Sequence, residues 1–206
     1  QSHLQRIVEA RGPEVIQGRF STLDVSAKKV ILASLSSHAS EDTVQLACSA
    51  LRDPDSGVAA AAADLLAGIG TRKAVAPLVG AAGHGNNQVD DAIQDALSQL
   101  GGDGVETEIV SLAANATAGA QKTLANVFSA RRISTATPLL LSWSCGAEPD
   151  LRIPAWRALG YCAGRESIPA ILRQLSTCHE ASERKEIVKA LTRLAGRDEC
   201  RTALID

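Results

Sequence analysis

The sequence is poor in aromatic residues: Phe, Trp and Tyr make up 2% of its 206 residues. Globular cores commonly use these side chains as bulky filler, so a core here must be built from Leu, Ile, Val and Ala. Methionine is absent, and no apolar run reaches the length of about 18 residues that indicates a transmembrane helix. Because Ala and Leu are strong helix formers, the composition predicts an all-α protein.

The sequence also lacks an initiating methionine and any targeting signal. No signal-peptide or lipidation pattern is visible. Since the sequence begins at Gln1 and contains no Met, we expect that its native start is missing, either because a leader was cleaved or because this is a piece of a longer chain. The compartment stays open, with the cytoplasm favoured over export.

The charge balance argues against general binding to nucleic acid. The net charge is -2, whereas a protein that coats nucleic acid needs a basic surface. Only the last quarter of the chain, residues 151–206, has more basic than acidic side chains. We therefore expect no extended polyanion-binding face.

A repeat becomes visible when the sequence is aligned with itself. The segments LLAGIG (65–70), ALSQLG (96–101), ALGYCA (158–163) and ALTRLA (190–195) share a Leu followed by two residues, an apolar residue and a small residue. With two looser matches included, the anchor leucines lie 27 to 35 residues apart, a spacing typical of helical solenoids. The anchors are Leu32, Leu66, Leu97, Leu124, Leu159 and Leu191.

Each repeat contains two apolar stripes with helical spacing. Val58, Ala62 and Leu65 belong to a first stripe, and Val75 and Leu78 begin a second one after a short break. Each unit is therefore predicted to be a helix, a tight turn and an antiparallel helix, which buries its apolar stripe only by stacking on its neighbours. The candidate N-cap residues are Asp53, Ser56, Asp150 and Ser182.

Five consecutive alanines, residues 59–63, lie in one first helix. Because Ala has a short side chain and loses no side-chain entropy, such a helix suits a position wedged between neighbouring helices. The alternative is a merely Ala-rich, exposed helix. The recurrence of the stripe elsewhere favours the wedged helix.

The two clearest units, residues 53–82 and 151–175, resemble HEAT-like repeats of the short bacterial type similar to those of phycobilin lyases. The resemblance spans residues 25–206 and leaves residues 1–24 as a partial repeat or N-terminal cap. It implies an all-α fold, a right-handed α-solenoid of five to six stacked antiparallel helix hairpins. The second helices would line a concave face, near residues 40–52, 73–83, 104–114, 135–145, 167–177 and 197–205.

The resemblance implies a non-catalytic scaffold whose concave face binds another protein or another domain of its own longer chain. Trp143 would be an interface anchor there if it is exposed, and packing in the core is an equal alternative. Trp156, on the flank of a first-helix stripe, is expected to pack. The candidate partner contacts are Arg72, Lys73, Arg132, Trp143, Arg173 and Gln174.

Two other functions stay open as alternatives. One is an auxiliary enzyme of the lyase type, and the other is a DNA-binding HEAT-like array that uses basic residues of turns and second helices. No motif for catalysis, metal or cofactor binding is present. The pair His179-Glu180 is single, whereas some HEAT-like hydroxylases hold two irons with several such pairs. The glycine-rich segments GHGNN (83–87) and GGDG (101–104) fit turns.

The five cysteines form no CxxC motif, and we expect them to be small buried hydrophobic residues. A weaker alternative concerns Cys145 and Cys178, which follow the second helices of adjacent units. The two helix ends could lie close enough for a disulfide, which would indicate an oxidising compartment.

Overall fold

The computed structural model describes residues 19–197 and Cys200, and this part of the chain contains helices and no strands, as the composition predicts. Short 3-10 helices lie at Phe20–Thr22, Leu35–Ser37, Arg72–Ala74, Ser134–Ala136 and Arg165–Ser167. The α-helices of this part are α1 (Val25–Ser34), α2 (Glu41–Ala50), α3 (Ser56–Ile69), α4 (Val75–Ala81), α5 (Asn87–Gln99), α6 (Val105–Ala113), α7 (Ala118–Arg131), α8 (Thr137–Ser144), α9 (Pro149–Cys162), α10 (Ile168–Thr177) and α11 (Ala181–Ala195).

The helices alternate between first and second helices of successive hairpins, which gives the α-solenoid class. Helices α2, α4, α6, α8 and α10 lie where the sequence predicts second helices, and the last predicted segment, 197–205, is almost entirely outside the described residues, as are residues 1–18. The chain divides into two compact units, residues 1–112 and 113–206. None of the described helices combines the length and apolarity that crossing a membrane requires.

In the first unit, α3 packs against α1, α2 and α5. It begins after Asp55, whose side chain accepts a hydrogen bond from the backbone N–H of Val58 at 3.0 Å. Ala59, Ala60, Ala62 and Ala63 are buried. The burial of these alanines and the three contacting helices confirm the prediction that α3 is wedged between its neighbours. Larger side chains at these positions would hold the helix backbones apart.

In the second unit, α9 occupies the corresponding position, packed against α7, α8 and α11. Trp156 is fully buried on α9, as expected, and its indole Nε1 donates to Oε1 of Glu183 at 3.0 Å. The guanidinium of Arg197 donates to the carbonyls of Gly160 at 3.1 Å and Ala163 at 2.9 Å. These bonds satisfy carbonyl groups that the end of α9 leaves without helical partners.

The predicted N-caps are displaced by a few residues, and the predicted glycine turns are confirmed. Asp53 does not cap α3, because Asp55 does, and Ser56 is the first residue of that helix. Asp150 and Ser182 lie in the first turns of helices whose N-cap positions are Glu148 and Glu180. Positive φ angles, which favour glycine, occur at Gly83, Gly85, Gly102 and Gly104.

Candidate partner-binding surfaces

Arg72 and Lys73 lie side by side in the turn between α3 and α4, and each pairs with a carboxylate of a different repeat. Arg72 Nη2 lies 2.7 Å from Oε2 of Glu108 on α6, and Lys73 Nζ lies 2.6 Å from Oε1 of Glu41 on α2. The side chains stay 60% and 71% exposed. Their charges are thus accessible but already engaged between repeats.

Arg132 is exposed at the C-terminus of α7 and adopts the left-handed conformation, with φ 55° and ψ 45°. This conformation lets the backbone N–H of Ile133 donate to the carbonyl of Phe128 at 3.1 Å, which closes the helix end. Glycine is the favoured residue there, because a side chain is strained at positive φ. The guanidinium of Arg132 forms no hydrogen bond or ion pair within the described part of the chain.

Trp143 is not an exposed anchor, so the expectation that it contacts a partner needs correction. It is 6% exposed, and its ring stacks on Phe128 with a centroid separation of 5.9 Å and an interplanar angle of 23°. The two rings join the second helix α8 to the first helix α7 of the same hairpin. Because aromatic side chains are scarce in this chain, the two rings supply bulk that the core otherwise lacks.

Arg173 and Gln174 are neighbours on α10, and the structure adds an exposed leucine beside them. Arg173 is exposed, and its side chain has no hydrogen bond or ion pair among the described residues. Leu172 is 41% exposed although its spacing from the buried Ile168 predicts a core position. The sequence places Leu172 in the apolar stripe of this helix, and the expectation of burial is wrong for it, because helical spacing does not show how much of the stripe the neighbouring helices cover.

A cavity of about 340 Å³ in the second unit lies next to these residues. Arg152 fixes one side: its Nε donates to the carbonyl of Gly146 at 2.8 Å, and its Nη1 lies 3.8 Å from Oε2 of Glu183. The cavity is lined by Ser144, Cys145, Arg152, Gln174, Thr177, Cys178, His179, Glu180 and Glu183. The structure thus brings Gln174 together with the two cysteines that the sequence places at adjacent helix ends.

The comparison with protein families agrees with the stacked hairpins. The family model for HEAT repeats matches residues 13–125, more than half of the chain. The chain belongs to the HEAT-repeat family. HEAT repeats generally serve as scaffolds for protein interactions.

No curated protein matched this HEAT-repeat chain. A crystal structure of an engineered protein is similar to it over 94% of this chain and 96% of that chain, with 19% identity and a TM-score of 0.43.

The cysteines of this HEAT-repeat chain fall into two groups. Cys162 and Cys200 are buried, as predicted, and burial raises the pKa of Cys162 to about 12. Cys48 is half-buried, and its pKa is raised by burial and by the charge of Glu41. Cys145 is exposed, so the expectation of a buried side chain is wrong for it, and Cys178 is half-buried like Cys48.

A second cavity, of about 410 Å³, lies in the first unit beside the Asp53-Pro54 turn. Arg52, His84 and Asn86 are exposed around it. The sequence pattern indicated only a turn here. Across residues 19–197 and Cys200, no three His, Cys, Asp or Glu side chains are grouped so that they could hold a metal ion.

Proposed function

We propose that this HEAT-repeat chain is a non-catalytic scaffold that binds another protein, or another domain of its own longer chain, through residues of its turns and second helices. The observation that carries the proposal is Arg132. An exposed arginine occupies a position where glycine would be less strained, and its guanidinium has no partner within the described residues. Strained residues held at a surface commonly serve function.

Arg173 and Leu172 on α10 support the same proposal. A free guanidinium beside a 41% exposed leucine combines a charge with an apolar contact, and arginine is enriched at protein interfaces. Both features favour a partner segment that carries a carboxylate near an apolar side chain. Gln174 adds a polar group at the adjacent cavity.

Arg72 and Lys73 stay candidate contacts, with a smaller expected effect. A partner carboxylate would have to displace Glu108 or Glu41 before it could bind them. The exchange of one surface ion pair for another changes the free energy little, because such pairs contribute about 1 kcal/mol or less.

The test is affinity capture with immobilised wild-type protein, the double variant R132A/R173A and the matched control K185A. Lys185 is exposed on the first helix α11 and has no ion pair among the described residues, so its variant removes a charge away from the proposed contacts. Quantitative mass spectrometry should find a protein that wild type and K185A retain and R132A/R173A loses. Retention of the same proteins by all three would contradict the proposal.

A selection of displayed random peptides supplies a defined readout alongside the capture. Acidic-apolar peptides should be enriched on wild type and on K185A but not on R132A/R173A. No observation among the described residues favours the lyase-type or the DNA-binding alternative. A salt-dependent mobility shift with duplex DNA that R132A/R173A abolishes would favour the nucleic-acid alternative instead.

A further inference from the structure

The cavity of about 340 Å³ in the second unit brings two thiols to one space. Cys145 follows the last residue of α8 and Cys178 follows the last residue of α10, so they occupy matching positions in consecutive hairpins. Both line this cavity. Of the five cysteines, these two lie in loops at helix ends, where the backbone adjusts more readily than inside a helix.

The surroundings favour reaction at these two thiols over the others. The exposed Cys145 is open to a reagent, and Cys178 shares its cavity. Side chains also bind the backbone of both loops: Arg152 Nε donates to the carbonyl of Gly146 at 2.8 Å, and Arg184 Nη1 donates to the carbonyl of Cys178 at 2.9 Å. A thiolate is the attacking form of cysteine in thiol–disulfide exchange, and the attack also requires access to the thiol.

We propose that Cys145 and Cys178 form a redox modification site, which closes to an intramolecular disulfide when it meets a small disulfide oxidant such as oxidised glutathione. The Cys145 thiolate attacks one sulfur of the oxidant, whose S–S bond breaks and releases one thiolate. The Cys178 thiolate then attacks the Cys145 sulfur of the mixed disulfide and expels the second thiolate. The two protons from the protein thiols end on the two released small thiols, so one oxidant molecule is reduced as one protein disulfide forms.

The consequence is local to the second unit. A bond between these residues would join the ends of two consecutive second helices and close a loop of 33 residues. Such a cross-link stabilises the folded state relative to the unfolded chain. Because Gln174 and Arg173 lie on α10, the bond would also fix the helix that carries proposed partner contacts. The cross-linking chemistry itself does not depend on the proposed function.

The test is titration of the purified chain with a glutathione redox buffer, followed by mass spectrometry and peptide mapping without reduction. Wild type should lose two hydrogens and yield one cross-linked peptide pair that contains Cys145 and Cys178, with a Tm raised by several degrees. Dithiothreitol should reverse both changes. C48S, the matched control, should behave as wild type, and C145S or C178S should show neither the cross-link nor the Tm shift.

Three outcomes would overturn the proposal. They are stable glutathione adducts on one or both residues without a cross-link, a disulfide that involves Cys48, Cys162 or Cys200, and a disulfide between two chains. Because C145S and C178S could be unfolded, circular dichroism of the reduced variants must match that of reduced wild type. If wild type forms the disulfide but the capture experiment finds no protein that R132A/R173A loses, only the proposed function is contradicted.

Discussion

Lys28 Nζ lies 2.7 Å from Oδ2 of Asp53, and both side chains are more than nine-tenths buried. The other oxygen of Asp53 accepts the backbone N–H of Asp55 at 3.0 Å. Burial alone raises the pKa of Asp53, but the hydrogen bonds from Lys28 and Asp55 and the charge of Lys28 outweigh it and lower the pKa. The pair ties α1 to the turn before α3, and thereby one repeat to the next.

K28M should lower the free energy of unfolding at pH 7 by about 3 kcal/mol, because it leaves the Asp53 carboxylate buried without its cation. The folded-state pKa of Asp53 is below the unfolded value of about 3.9. The stabilisation by the pair is therefore present above the unfolded pKa and is lost as the pH falls through the folded pKa.

Urea unfolding at pH 7 and pH 3 measures this dependence. The difference between wild type and K28M should shrink at pH 3. K29M is the matched control, since Lys29 pairs with Asp55 at 3.7 Å while both side chains are substantially exposed. A loss as large in K29M as in K28M would show that burial does not decide the effect.

Trp143→Ala should behave as a core truncation. Removal of a buried Trp side chain costs about 3–5 kcal/mol of unfolding free energy, whereas surface substitutions change it by roughly 0.5 kcal/mol or less. Guanidinium unfolding followed by circular dichroism measures the cost, with Leu172→Ala as the exposed comparison. A change for Trp143→Ala no larger than that for Leu172→Ala would place the Trp143 ring outside the core.

Arg132→Gly should raise stability and weaken partner binding together. Glycine removes the strain of the left-handed conformation, for which we expect a gain of about 1 kcal/mol after the entropy cost of glycine. Arg132→Ala separates the two effects, because it removes the guanidinium and keeps the strain. Equal urea midpoints for Arg132→Gly and Arg132→Ala would contradict the claim that the left-handed conformation at position 132 is strained.

Two helical glycines should respond oppositely to alanine. A Cβ atom on Gly68 would meet nothing within 4 Å, so Gly68→Ala should stabilise the protein by about 0.5–1 kcal/mol through the gain in helix propensity. A Cβ atom on Gly160 would lie 3.1 Å from Cα of Ala190, a backbone atom of α11. Gly160→Ala should therefore gain nothing or destabilise, as thermal unfolding of the two variants side by side would show.

The spacing of the anchor leucines predicts the hairpins well, because helix stacking requires an apolar residue at the same place in every repeat. Leu66, Leu97 and Leu159 are fully buried on the first helices α3, α5 and α9, whereas the anchor Leu191 on α11 is half-buried. The alanine stretch is also informative, since small residues let helices approach closely and the apolar stripe of this helix recurs in other repeats. Both features, the repeat spacing of the leucines and the run of alanines, can be read directly from a single sequence.

Side-chain partnerships were less predictable. The sequence predicted Asp53 or Ser56 as the N-cap of α3, whereas Asp55 caps that helix and Asp53 pairs with Lys28 of the preceding repeat. The sequence did not distinguish a core from a surface position for Trp143, and the structure shows its ring stacked on Phe128. In the candidate surface, the acidic partners of Arg72 and Lys73 lie 36 and 32 residues away in sequence. No local pattern reveals such pairs.

The alanine face of α3 restricts which helices can stack on it. Helices α1 and α5 both contact α3, where Ala59, Ala60, Ala62 and Ala63 are buried. A hairpin engineered to stack beside α3 would meet a surface shaped for close approach, and a first helix with bulky facing residues would not fit it. In the first unit, a hairpin is therefore expected to stack on α3 only through a helix whose facing side chains are small.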